Sequence, residues 1–243
     1  MVNDIALLAS LAFIGALVVG VTGFGSALVT IPLATHFVPL QFALPLFALV
    51  DLSTALSIGL ENPRNAARDE WRRLVPMILA GTALGVTLLV NLPRAAGMFL
   101  LGAFVLLYAL YSLLHRGPPR VIRPAWAWLA GLAGGITSTL FGAGGPPYAI
   151  YLSQRGLTKE QFRATMGFST MTSISVRVIA FAITGLLLQR EVWLTALAAV
   201  PAALLGLWVA RHFYLRVSRE TLMRAVALIL LASGGSLMVR ALH

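Results

Sequence analysis

The chain has no cysteine, which excludes disulfides, thiolate metal sites and cysteine nucleophiles and leaves the redox compartment open. Acid is scarce as well, with eight Asp and Glu against 18 Lys and Arg. The four histidines, His36, His115, His212 and His243, stand at segment ends with no paired spacing and no acidic cluster, so no metal site is expected. Neither a Gly-x-Ser-x-Gly elbow nor a Gly-Lys-Ser/Thr phosphate loop occurs, which argues against a serine hydrolase and an ATP-driven pump. An enzyme is not expected, no cofactor is called for, and any transport must draw on a gradient. Long polar stretches are missing too. The longest, Glu61 to Arg73, and the shorter Arg116 to Pro124 read as loops between apolar segments.

What remains is hydrophobic almost throughout: 59% of 243 residues, only 11% charged, mean hydropathy +0.89. This is the composition of a multi-pass membrane protein, and the lipid bilayer is its first partner. A net charge of +10 suggests nucleic acid in a soluble protein, but here most arginines flank apolar segments, where the positive-inside rule puts them, so nucleic acid is not a partner. The first apolar run has Asp4 and no basic residue before it and continues far past a signal-peptide core, so it is expected to be retained. Trp71, Trp126, Trp128 and Trp193 lie at segment edges, as in an interfacial aromatic belt.

Eight apolar segments can be drawn, at 5–35, 40–60, 74–92, 95–114, 124–152, 162–188, 191–210 and 219–239. They form two sets of four. At an offset of about 120 the halves align Gly23-Phe24-Gly25 with Gly142-Ala143-Gly144 and Gln41-Phe42 with Gln161-Phe162. After a small gap Pro76 meets Pro201, Gly81 meets Gly206, Arg94 meets Arg219 and Met98 meets Met223. Matches in this order argue for an internal duplication, the plan of many secondary transporters.

The arginines decide how the halves are oriented. If every segment crosses once, basic residues divide almost evenly between the two sides. If segments 1 and 5 fold back at their glycine motifs, only Arg94, Arg190 and Arg240 fall on the minority side. Residues 5–35 would in any case form a helix of about 46 Å, too long for a core of about 30 Å. The expected fold is therefore an all-α polytopic membrane protein of two inverted four-segment repeats, each a re-entrant helical hairpin with a Gly-rich tip plus three transmembrane helices. Residues 1–115 form the first repeat, 116–123 the connecting loop and 124–243 the second, within one integrated membrane domain. Both termini are expected on the extracytoplasmic side.

The tips, Thr22-Gly23-Phe24-Gly25-Ser26 and Phe141-Gly142-Ala143-Gly144-Gly145-Pro146-Pro147, are expected to meet near the membrane midplane. A helix opening after Gly25-Ser26 or Gly144-Gly145 offers free N–H groups and a positive dipole end, which is an anion site. Pro146 suits the first turn of such a helix. Glycines can also serve only close helix packing, but the pairing of the motifs favours the functional reading.

These breaks resemble those of the sulfite exporter TauE/SafE family, also known as the toluene-sulfonate uptake permeases, over nearly the whole chain. In that family the breaks commonly read Gly-x-Gly-Gly-Gly with a proline downstream. Gly23, Gly25 and Pro32 match in the first half and Gly142, Gly144 and Gly145 in the second, while Ser26, Ala27 and Pro146 depart from the pattern. The resemblance implies a permease for small sulfur-containing anions such as sulfite or organosulfonates, often an exporter.

Two ionisable residues fall deep in apolar segments, Asp51 and Arg177. Such groups face a cavity or a partner. Arg177 could present its planar donor fork to an oxyanion, Asp51 could carry a coupling proton, or the two could form an ion pair that locks the halves together. The run Ser169, Thr170, Thr172, Ser173 and Ser175 lies within two turns of Arg177 and could line the same cavity or simply join helices. At helical spacing Ser169, Thr172 and Ser173 share a face and Ser173 lies four residues from Arg177, so a subset can point at one pocket while the others pack. Thr22, Ser138 and Thr139 precede the tips and could serve substrate or the broken backbone. The candidate substrate-binding set is Thr22, Gly23, Gly25, Ser26, Gly142, Gly144, Gly145, Ser169, Thr172, Ser173 and Arg177, with Asp51 as the proton-coupling candidate.

The expected function is a secondary transporter of the bacterial inner membrane that exports sulfite or an organosulfonate by alternating access. The rivals are an anion channel of the same architecture and a non-transporting subunit that binds a partner. A homodimer fits a small bundle with an exposed apolar face.

Overall fold

The computed structural model describes residues 2–22, 25–60, 63–114 and 121–213, together with 231, 235 and 236. Among the described residues there are nine α-helices and no strand: α1 (Val2–Thr22), α2 (Ser26–Ala34), α3 (Leu40–Gly59), α4 (Arg68–Asn91), α5 (Arg94–Leu114), α6 (Trp126–Phe141), α7 (Gly145–Ser153), α8 (Lys159–Ile183) and α9 (Arg190–Phe213). Four of them, α3, α4, α8 and α9, are long and apolar enough to cross a membrane. The last apolar segment, 219–239, lies outside the described residues except at 231, 235 and 236.

Both long segments break where the glycines stand. Segment 5–35 divides into α1, of 21 residues, and α2, of nine. Segment 124–152 divides into α6, of 16 residues, and α7, of nine. The arms are unequal: α1 measures about 31 Å, α6 about 24 Å and each second arm about 14 Å. Gly25, at φ 96°, and Gly142, at φ 72°, hold left-handed conformations that a side chain strains. Pro146 sits in the first turn of α7, where its missing N–H has no helical partner to lose.

Two helix starts differ from the apolar pattern. The stretch Glu61 to Arg73, expected to be loop, is helical from Arg68, because Asp69 and Glu70 occupy the first turn of α4 and complement its dipole. α8 starts at Lys159 because Thr158 and Gln161 form a capping box. The Gln161 N–H donates to Thr158 Oγ1 at 3.2 Å, and the Thr158 N–H donates to Gln161 Oε1 at 3.1 Å. Hydrophobic counting sees neither signal.

One bond fixes the course of the second helix pair. The Ile122 N–H, before α6, donates to the Gln154 carbonyl, after α7, at 3.1 Å. A single crossing would put these residues on opposite sides of about 30 Å of hydrocarbon. The same end gathers other loops. Arg155 Nη2 reaches Glu70 Oε1 at 3.0 Å, the Ala67 N–H donates to Thr165 Oγ1 at 2.8 Å, and Arg211 Nη2 donates to the Ser57 carbonyl at 3.3 Å. Arg64, Arg68, Arg73, Arg123, Arg155 and Arg211 therefore all belong to loops and helix ends at one end of the bundle.

In the bundle α1 packs along α9, α4 along α6, and α3 against α8. Two glycines permit the closest approaches: Gly206 of α9 lies against the Phe13 carbonyl of α1, and Gly81 of α4 against the Leu132 carbonyl of α6, so that a Cβ at either would collide with backbone. Ile31, Leu44, Leu46, Phe47, Val105 and Phe181 fill the main core. The outer face is apolar in turn, with Leu84 and Leu88 on α4, Ile183 on α8, and Leu197, Leu205 and Trp208 on α9 exposed. Such a surface needs lipid around it.

Candidate functional site

The two breaks converge on one cavity of about 40 Å³. Gly25, Ser26 and Ala27 bring the start of α2 to it, and Gly144, Gly145 and Pro146 the start of α7. Neither Gly25 nor Gly144, the N-cap residues, supplies a side-chain hydrogen bond to its helix. The two helix ends thus turn amide donors and roughly half an elementary charge each towards the same space. Gly142 lines it from the tip itself.

The α3 wall carries Asp51, which is 4% exposed. Its Oδ1 accepts from Ser26 Oγ at 2.6 Å and its Oδ2 from Arg177 Nη2 at 3.1 Å. Arg177 is fully buried and donates from Nη1 to the Ser138 carbonyl, at the end of α6, at 2.7 Å. Its Nε is without a hydrogen-bond partner. Of the two readings open for these charges, the geometry here is the ion pair. It joins α3 to α8 and, through Ser26 and Ser138, to both tips. Asp51 lines the cavity and Arg177 does not, so the guanidinium acts on the space from behind the wall. With the pair near neutral, the helix ends leave the site an electropositive balance.

On α8 the lining positions are Gly167, Thr170, Ser173 and Ile174, spaced three and four apart. Ser173 Oγ accepts from Tyr148 OH at 3.1 Å. Thr170 Oγ1 is buried and has no partner, so it is a hydroxyl available to a ligand. Ser169 and Thr172 do not line the cavity. Ser169 Oγ donates to the Thr165 carbonyl at 2.8 Å, and Thr172 Oγ1 donates to the Phe168 carbonyl at 2.8 Å while accepting from Trp71 Nε1 at 3.0 Å. Thr139 Oγ1 donates to the Gly135 carbonyl of its own helix at 2.9 Å. Of the first tip, Gly23 lies outside the described residues, as does the side chain of Thr22. Three polar lining residues stand outside the candidate set: Thr170, a member of the hydroxyl run, Ser138, placed just before the tip, and Tyr148, which the sequence did not single out. The helical period running back from Ser173 reaches Thr170 and was the available signal.

A second polar cluster stands apart from the cavity. Glu70, 7% exposed, accepts from Arg73 Nη1 at 2.8 Å, from Arg155 Nη2 at 3.0 Å and from the Tyr151 hydroxyl. Arg155 also donates to the Ile122 carbonyl. The hydrogen bond to Glu70 pushes the Arg155 guanidinium above its ordinary value, and the cluster pins the end of α7 to the start of α4. Among the described residues no group of His, Asp and Glu could hold a metal ion.

Comparison with known proteins gives three findings. A family model described as Sulfite exporter TauE/SafE matches residues 7–237. The chain is 24% identical over 193 residues, 79% of its length and 81% of the relative's, to "Probable inner membrane transporter protein TsaS" of Comamonas testosteroni. It is 26% identical over 229 residues, 91% of its length and 89% of the relative's, to "Probable sulfite/organosulfonate exporter TauE" of Cupriavidus necator. No solved structure matches at a significant level.

Proposed function

Because the chain belongs to the sulfite exporter TauE/SafE family, we propose that it is a secondary transporter that exports a small sulfur oxyanion, sulfite or a compact organosulfonate, across the bacterial inner membrane. The observation that carries this reading is the convergence of two uncapped helix N-termini and the unpartnered Thr170 hydroxyl on one cavity.

The architecture in this reading is two inverted repeats, 1–115 and 124–243, with re-entrant hairpins at α1–α2 and α6–α7 that alternate access to the cavity between them. The Ile122–Gln154 bond supports re-entry of the second hairpin. The packing of α1 on α9 and of α6 on α4 supports the duplication, since each hairpin lies against the corresponding helix of the other half. Gly81 and Gly206, equated by the sequence register, make the closest approach in those two interfaces. The arginine-rich end faces the cytoplasm. Asp51 couples transport to protons through its bonds to Ser26 and Arg177, and the exposed apolar face forms a homodimer.

Thermal unfolding of the purified protein with sulfite, sulfate, thiosulfate, sulfoacetate, taurine and carboxylates tests the substrate class, because a ligand of the folded state raises Tm by mass action. Selective stabilisation by sulfite or sulfoacetate is expected. Counterflow in proteoliposomes tests the mechanism: a carrier shows trans-stimulated exchange, whereas conduction without it makes the protein a channel, and no flux at all makes it a non-transporting subunit.

A further inference from the structure

The central cavity shares a wall with a second hollow. Ile58, in the last turn of α3, lines the central cavity and also an open cleft of about 310 Å³. Gly59, on the cleft, and Gly167, on the cavity, face each other, and a Cβ at Gly167 would stand 3.5 Å from Gly59 Cα. The partition is therefore thin. The cleft's charged walls are Lys159, Glu160 and Arg163, from the first turns of α8, with Asn65 opposite. Two cations against one carboxylate give it a positive balance, to which the N-terminal end of α8 adds. It opens at the arginine-rich end, beside the Arg211–Ser57 bond.

The other end of the bundle differs. The hollow there, between the starts of α3 and α5 and the end of α4, measures about 30 Å³ and is lined by Leu40, Leu89, Leu92, Pro93 and Phe141, with Gln41 the polar side chain and no charged one. Phe141 is stacked on Phe104 at 5.2 Å between ring centres. An anion entering this hollow meets hydrocarbon and aromatic rings.

Resting on the transporter reading above, we propose that the cleft of Asn65, Lys159 and Arg163 is the mouth through which a small oxyanion reaches the central cavity from the arginine-rich end. Ile58 is the partition that must move aside. The cations do not bind the ion tightly, because exposed charges in water are worth little in affinity. They raise its concentration at the partition, as a cleft with an excess of positive charge does. Ile58, being apolar, lets through an ion only when its side chain swings away, and so separates collection from binding.

The cysteine-free sequence gives a clean background for labelling. Ile58→Cys and the deeper Ala55→Cys are made in the full chain and treated, in membrane vesicles of known orientation, with two membrane-impermeant thiol reagents of matched size, one sulfonated and one carrying a quaternary ammonium. The sulfonated reagent, applied at the arginine-rich side, is expected to react faster by about fivefold or more at position 58. Lys159→Gln with Arg163→Gln abolishes that preference, and sulfoacetate, which does not consume the reagents, slows reaction at position 55. Equal rates for the two reagents, a preference that survives loss of both cations, or reaction only from the opposite side or from neither, overturns the proposal. Failure of the transporter reading is distinguishable: the unsubstituted protein then shows no anion flux in proteoliposomes, whatever the labelling pattern.

Discussion

Asp51 of α3 and Arg177 of α8 meet at 3.1 Å, and each holds a second partner from a different hairpin, Ser26 for the carboxylate and the Ser138 carbonyl for the guanidinium. One ion pair thus links both chain breaks and two long helices. Removing one member leaves the other charge buried and alone, which costs about 3–5 kcal/mol, whereas replacing both by apolar groups of similar size is often neutral. Arg177→Met and Asp51→Leu are each expected to lower the unfolding temperature sharply, and the double variant to recover most of the loss. Strict additivity in a thermal double-mutant cycle would show that the pair is not coupled.

Thr170 is expected to bind substrate. Thr170→Val keeps shape and removes the hydroxyl, so sulfite or sulfoacetate affinity should fall by about ten- to a hundredfold, the worth of a hydrogen bond to a charged group, with unfolding of the ligand-free protein unchanged. Thr170→Ser should restore most of the binding. Ser169→Ala, whose hydroxyl bonds its own helix, serves as the contrast and should leave affinity near that of the parent in calorimetric titration.

Gly142 and Gly25 should differ in tolerance. Alanine at either strains a left-handed backbone by about 1–2 kcal/mol. At Gly25 the new methyl meets Leu28 Cδ1 at an ordinary 3.6 Å, but at Gly142 it falls 2.9 Å from Ala27 Cβ and 3.3 Å from Arg177 Nη1. Gly142→Ala is therefore expected to lose more flux and more folded yield than Gly25→Ala. Equal losses would mean that backbone strain alone matters at the tips.

If Asp51 carries the coupling proton, flux in proteoliposomes should respond to an imposed pH gradient, and Asp51→Asn should lose that response while still binding the anion. A gradient response that survives Asp51→Asn would move coupling to another group.

Much of this was legible in the sequence. Paired glycines within apolar runs predicted where α1 gives way to α2 and α6 to α7, because lipid forces every helix break to be chemically conspicuous. Gly81 and Gly206, matched in the sequence register, each lie against the backbone of a neighbouring helix, a role the match itself did not name. Less legible was anything set by rotation of a helix about its axis. Ser169 and Thr170 are neighbours in a hydroxyl-rich run, and which of them faces the cavity depends on how α8 packs against α3 and α4. The Glu70 cluster joins residues far apart in the chain, and no local pattern announces such a pairing. The first turn of α4 was hidden because polar residues at a membrane surface read as loop.

The return of α7 to the end where α6 began also has an electrical meaning. In the proposed architecture of two re-entrant hairpins, water follows each tip towards the midplane, and the membrane potential falls mainly across the short layer between the tips rather than over the full bilayer. Each elementary charge crossing 100 mV gains or loses about 2.3 kcal/mol. On the proposed route an anion leaving a negatively polarised cell takes nearly all of that energy in a single short step, and a divalent one takes it twice.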